Sequence, residues 1–224
     1  MKRSLAICIW FVLLVVGGRA WASEKDLVIE GKRLTSQKPS FTLTLPSEFR
    51  LADSFSQESP AENSQTRVYL LVRARGQEME ELFILQIADR TNPQAGPMTL
   101  SPLKPYTEER LYGKERRRIG DLSGEYLVQL MAWNPGAPSL KGITKKGLLI
   151  PSHWALQGQF QFLYGGEHAV SIRYSRDVGS FGLQVSDDGK RWMKDSLKGN
   201  EKKVCDIFTK TFVDILDSIR VKNP

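Results

Sequence analysis

Cysteine and histidine are scarce in this chain. Among 224 residues there are two of each: Cys8 and Cys205, His153 and His168. A zinc centre needs three or four converging nitrogen or sulfur ligands, and no HExxH or paired Cys/His spacing is present. No metal and no cofactor is therefore expected. A phosphate-cradling glycine loop is missing too. Gly179-Ser180-Phe181-Gly182 is one residue short of the G-x-S-x-G nucleophile elbow. Asp177-Val178-Gly179 lacks the alternating oxygens of a calcium loop. These absences leave no catalytic signature.

Long apolar runs are also lacking. The longest, Leu5 to Val16, has 12 residues, against roughly 18 or more for a membrane-spanning helix. Lys2 and Arg3 precede it, and Ala20-Trp21-Ala22 follows a break at Gly17-Gly18. This is the pattern of a cleaved secretory signal over residues 1–22. The chain is expected to be exported, periplasmic in a Gram-negative host and extracellular otherwise. Removing the first 22 of 224 residues leaves 202, one domain's worth. It also removes Lys2, Arg3 and Arg19, which lowers the net charge from +7 to +4. An exported and mildly basic chain is not expected to bind nucleic acid. Cys8 leaves with the signal, so no intramolecular disulfide is possible.

What is present is strand pattern followed by one helix. Residues 23–40 read as an N-terminal arm in which Leu27-Val28-Ile29 forms an edge strand or a docked segment. Phe41 to Leu45 alternates and stops at Pro46. Phe49 to Phe55 is expected to wrap the domain edge, and Asp53 to Gln65, rich in Ser, Glu, Asn and Gln, to be a mobile loop. Arg67 to Ala74 and Leu82 to Ala88 are apolar on both alternate sets, which predicts neighbouring strands buried on two faces. Thr91 to Pro105 carries four prolines and cannot be a helix. Tyr106 to Arg118 is either a short helix or an exposed strand. Glu125 to Trp133 predicts a strand. His153 to Tyr164 and His168 to Arg176 predict a hairpin about Gly165-Gly166, and Phe181 to Met193 a second one about Asp187-Asp188-Gly189-Lys190.

Val204 to Ile219 has the helical period. Val204, Cys205, Ile207, Phe208, Phe212, Ile215, Leu216 and Ile219 share one half of the helix. Asn200 is the expected N-cap. Cys205 lies on the edge of the apolar arc, where burial as a small hydrophobe is expected. The fold expected is α+β: a single antiparallel β-sheet with this C-terminal amphipathic helix packed on one face, spanning 41–221 with a 134–152 loop insert. The strand Phe41-Thr42-Leu43-Thr44-Leu45 running into Pro46 and Phe49, the meander and the closing helix ending in Ser218-Ile219-Arg220-Val221 resemble the PsbP-like superfamily. That resemblance implies an αβα sandwich and a class of mostly non-enzymatic binding or assembly modules. It implies no ligand and carries over no functional residue.

Two surface features remain. Lys114, Arg116, Arg117 and Arg118 form a basic run, either a solvated face or a contact for an anionic surface. The 134–152 insert carries Lys145, Lys146 and Leu149 and is flanked by Trp133 and Trp154. Its apolar residues either line a cleft or fold back on the sheet. The contact set expected is Arg116, Arg117, Arg118, Trp133, Lys145, Lys146, Leu149 and Trp154. The function expected is a non-catalytic binding or assembly module of the envelope, its partner an envelope protein or a small ligand. The alternative is a hydrolase or glycan-active enzyme, which needs His153 or His168 within hydrogen-bond reach of an acid.

Overall fold

Eleven strands and two α-helices make up residues 26–185 and 189–221, the parts described by the computed structural model. The expected secretory signal over 1–22, and part of the expected turn Asp187-Asp188-Gly189-Lys190, lie outside them. The expected single sheet is corrected: there are two antiparallel sheets. The first has four strands, β1 (Leu27–Glu30), β2 (Arg33–Ser36), β3 (Phe41–Thr44) and β11 (Arg220–Val221), in the order 1-2-3-11. The second has seven: β4 (Arg50–Ser59), β5 (Ser64–Arg75), β6 (Glu78–Arg90), β7 (Leu111–Ile119), β8 (Leu122–Ala132), β9 (Trp154–Tyr164) and β10 (His168–Asp177). Its order is 4-5-6-10-9-8-7.

The arm at 27–36 is thus a hairpin, not a lone edge strand. Gly31, at φ +58°, supplies the turn, and alternation in β2 sends Leu34 and Ser36 inward. Leu34, Phe41, Leu43 and Leu45 are fully buried against the larger sheet, with Phe41 edge-on to Phe162 at 6.1 Å. The αβα sandwich gives way here. One face of the large sheet is covered jointly by the small sheet and by the long helix α2 (Gly199–Asp217).

Helix α2 buries Val204, Cys205, Phe208, Phe212, Ile215 and Leu216. Ile207 is the exception to the expected arc and stays 47 % exposed. The helix starts one residue before the expected cap, with Lys198 at the N-cap, and Glu201 pairs with Arg191 at 2.5 Å. Phe208 stacks on Tyr174 at 5.2 Å. Phe212 lies on Gly158 of β9, where a Cβ would stand 2.4 Å from its ring. Close approach of helix to sheet requires glycine at that point. After the helix the chain re-enters the small sheet as β11, and Ser218 Oγ accepts from Thr44 N at 2.8 Å.

Two further expectations are corrected. Residues 53–59 belong to strand β4, which pairs with β5 through a bulge between Leu51 and Asp53. Ala52, Phe55, Ser54 and Ser56 are buried there, so the polar composition marks an edge strand and not a loop. Phe181 to Met193 forms no hairpin among the described residues. It runs through short 3-10 turns at Val178–Phe181 and Lys190–Trp192. Trp192, 1 % exposed, pins the second turn to the core. The ambiguous segment 106–118 resolves into a 3-10 turn at Glu108–Arg110 and strand β7.

The second face of the large sheet has two coverings. The insert folds back on it through α1 (Lys141–Lys145), burying Leu140, Ile143 and Leu148 against Phe55, Val68, Leu70 and Leu82. Leu149 N and O bond to Gln77 O and Met79 N, which fixes the insert to the β5–β6 hairpin. The proline-rich segment 91–107 crosses the other half of that face, bonded to Glu125, Gln129 and Gln161.

Candidate functional site

Period-2 alternation divides β10 cleanly. Val170, Ile172 and Tyr174 point into the core under the helix, so Ser171, Arg173 and Ser175 point to the second face. The register aligns these with a polar row across neighbouring strands. Arg173 stands opposite Gln159 of β9 and Ile84 of β6. Ser171 stands opposite Gln161 and Gln86, and Ser175 opposite Gln157 and Leu82. On β8 the row continues with Glu125 and Gln129.

The lower part of this row is closed by its own bonds. Gln129 Nε2 donates to Gln157 Oε1 at 3.0 Å, and Gln157 Nε2 to Ser175 Oγ at 3.2 Å. Segment 91–107 is tied down over β8 and β9. Tyr106 N donates to Gln129 Oε1 at 2.5 Å, Leu103 N to Glu125 Oε2 at 2.7 Å, and Gln161 Nε2 to Ser101 O at 2.5 Å. Lys114 Nζ donates to Leu103 O at 2.6 Å. The insert meanwhile packs over β4 to β6. Strand β10 runs between the two coverings.

There the bonding stops. Arg173 Nε and Ser171 Oγ are both sealed from solvent and neither has a hydrogen-bond partner. No ion pair reaches the Arg173 guanidinium among the described residues. Arg173 as a whole is half-buried, and the burial of its inner part lowers its pKa. A sealed donor without a partner costs about 1–3 kcal/mol. Among the described residues the charges buried by surface area are matched. Glu81 meets Arg73 at 2.8 Å, Glu80 meets Arg73 and Arg75, and Arg67 meets Asp26 and Asp89.

The structure scatters the eight contact residues expected from sequence. Trp133 and Trp154 lie on opposite faces. Trp133 is buried with the insert, and Trp154 packs toward the helix side with the Arg110 guanidinium 4.3 Å above its ring. Lys145, Lys146 and Leu149 are exposed around α1, beside β4. Lys146 borders a shallow open cleft with Arg50 and Leu51. Arg116, Arg117 and Arg118 sit on β7, the opposite edge of the seven-stranded sheet. Six strand spacings separate the two edges, roughly 29 Å. The basic run is partly spent: Arg117 holds Asp217 in a bidentate pair at 2.6 and 2.8 Å, and Arg118 Nε donates to Gly120 O. Arg116 is exposed at the β7 edge.

Two acid–base groupings bear on the enzyme alternative. His168 Nδ1 lies 2.6 Å from Asp89 Oδ1, within reach of an acid. That carboxylate is already gripped by Arg67, through Nε at 2.9 Å and Nη2 at 3.1 Å. Arg67 also donates to Asp26 and to Lys38 O, so the group ties the N-terminal hairpin to the large sheet. The second grouping surrounds Asp177. Burial raises its pKa, against the pull of its bond from Ser180 N and the nearness of Trp133 and His153. Trp133 Nε1 faces it without reaching hydrogen-bond geometry. Cys205 is buried beside Tyr112, and burial pushes its thiol up to about 12. That is the reverse of an activated nucleophile.

Among the described residues no group of three or more His, Cys, Asp and Glu is placed to hold a metal, and no helix is long and apolar enough to cross a membrane. No protein-family model, no curated protein and no solved structure matches the chain. Sequence reading missed the Arg173 row altogether. Its signal was present as Ser171-Ile172-Arg173-Tyr174-Ser175 facing Gln157 to Gln161. The same alternation describes a solvated sheet face, and the two coverings make this one half-buried.

Proposed function

We propose that this protein is an exported, non-catalytic binding module of the cell envelope, and that it holds a small ligand on the second face of its large sheet. The reading is carried by Arg173, a half-buried cation between the two coverings that no ion pair reaches among the described residues. An anionic group beside its guanidinium would supply that partner. The His168–Asp89 pair favours the hydrolase alternative by distance alone. Arg67 holds that carboxylate in a structural tie, which leaves the pair without a free orienting acid. An envelope protein docking on the β7 edge is the other route, favoured by the exposed Arg116 and Arg118.

The test is native mass spectrometry on the protein gently purified from its host's envelope, wild type beside Arg173→Met. The expected result is additional mass of small-molecule size on the wild type and none on the variant. A bare wild-type monomer contradicts the ligand reading. A second polypeptide retained in fixed ratio, and lost on Arg116→Glu, replaces it with the docking reading.

A further inference from the structure

We infer that the open cleft between the start of β4 and the end of α1 binds a phosphate monoester of a small apolar group. Arg50 and Lys146 hold the phosphate, and the apolar group lies over Leu51, Ala52 and Leu148. This site is separate from Arg173, since β5 and β6 lie between β4 and β10.

Local structure brings the two cations to one opening. Arg50 stands opposite Val72 of β5, whose side chain belongs to the core under the insert, so Arg50 points toward the insert. The bulge between Leu51 and Asp53 adds a residue to the edge strand and sets Ala52 against the same core. Helix α1 ends at Gly147, φ +75°, in a turn where Gly147 N donates to Thr144 O at 3.0 Å and Leu148 N to Ile143 O at 3.4 Å. That turn sends Leu148 down into the core and leaves Lys146 at the surface. The result is a cleft of about 420 Å³ lined by Arg50, Leu51, Ala52, Lys146 and Leu148. Its volume is that of a small-molecule site, and it is open to solvent without any change in the fold.

The lining names the ligand. It holds two cations and no acid. Among the described residues no ion pair and no side-chain hydrogen bond reaches Arg50 or Lys146. Asp53, the next acid along β4, is engaged elsewhere: its carboxylate lies against Gly142 and accepts from Ser54 N at 3.0 Å. Two positive charges match a phosphate monoester, which carries about −1.5 to −2 near neutral pH. A carboxylate would leave one of them unmatched. Arginine adds a planar fork of donors for the phosphate oxygens, and lysine a mobile point charge. Leu51, Ala52 and Leu148 present no side-chain donor or acceptor, so the group carried by the phosphate is hydrocarbon and not a sugar.

The experiment is isothermal titration of a chain starting at Ser23 with butyl phosphate, inorganic phosphate, glycerol phosphate and butyrate. Butyl phosphate is expected to bind most tightly. Arg50→Gln and Lys146→Gln should each weaken it about fivefold, the scale of one exposed charge pair. Lys141→Gln, exposed on α1 outside the cleft, should leave it unchanged. All three side chains are exposed, so none of the variants endangers folding. Butyrate binding as tightly as butyl phosphate overturns the phosphate class, and glycerol phosphate binding as tightly overturns the apolar body. No binding of butyl phosphate, or equal weakening in Lys141→Gln, overturns the site. Sedimentation with vesicles separates the sources of the phosphate. Binding to phosphatidylcholine vesicles that contain phosphatidic acid, absent without it and lost in Arg50→Gln, assigns a lipid headgroup. Butyl phosphate binding with both vesicles silent assigns a soluble ester. Either result upholds the cleft as a phosphate site.

Discussion

Replacing Gly158 by alanine tests how the long helix is seated. The added Cβ would lie 2.4 Å from both Cγ and Cδ1 of Phe212, about 1 Å inside ordinary contact. Phe212 is fully buried between Gly158 and Tyr126, so its ring has no room to swing away. The helix must lift instead, and with it the stacked Phe208–Tyr174 pair. Overpacking of this kind costs about 1–3 kcal/mol. The intrinsic gain of Gly→Ala in an extended chain, about 0.5–1 kcal/mol, offsets only part of it. Urea denaturation should show a lower midpoint with an unchanged slope. Phe212→Leu, destabilising alone, should recover part of the loss in the Gly158→Ala background, a coupling of opposite sign to simple additivity. Gly158→Ala within about 0.3 kcal/mol of wild type would refute the seating of α2 on β9.

Other consequences follow from the burial of titratable groups. In a chain starting at Ser23, Cys205 should resist iodoacetamide at pH 8 while folded and react once per chain in urea, as counted by mass; fast labelling of the native form would contradict its burial at 2 % exposure. Burial first, then its bond to Glu115, raises Tyr126 from 10 to about 12. The folded chain keeps a proton that the unfolded chain loses across that interval. Its contribution to stability is therefore full below pH 10 and lost as pH rises toward 12. Tyr126→Phe should flatten the alkaline limb of a stability–pH curve, and an unchanged limb would argue against it.

The parts of the fold legible in the sequence are those where hydrophobic period and partner coincide. Helix α2 announces itself because a 3.6 period over Val204 to Ile219 has one meaning. Strands β5, β6, β9 and β10 were recognisable for a similar reason. Their apolar runs are too short and too bounded by turns for helices. Strand β4 was hidden because all its positions after Ala52 except Phe55 are Asp, Ser, Gln or Glu, the composition of a loop. The small sheet was hidden because its strands are four residues or fewer and its last member, β11, is two residues long after a helix. Such strands owe their existence to the core that Leu34, Phe41 and Leu43 enter, not to local propensity.

The site was illegible for a different cause. A polar alternate set such as Ser171, Arg173 and Ser175 has the same pattern whether it faces water freely or lies between two covering segments. What distinguishes the two is tertiary: the insert closing over β4 to β6 and segment 91–107 closing over β8 and β9. The exposed lysines and arginines that drew attention in the sequence are, by contrast, dispersed to opposite edges.

The stability of Arg173→Met without ligand is the most direct measurement of the central claim. Arg173 Nε, sealed without a partner, burdens the unliganded fold, and methionine has no donor to satisfy there. Urea denaturation should find the variant more stable than wild type by about 1–3 kcal/mol. A variant destabilised by a similar amount would mean that the guanidinium already has its counterpart within the fold, and the polar row on β10 would call for no ligand.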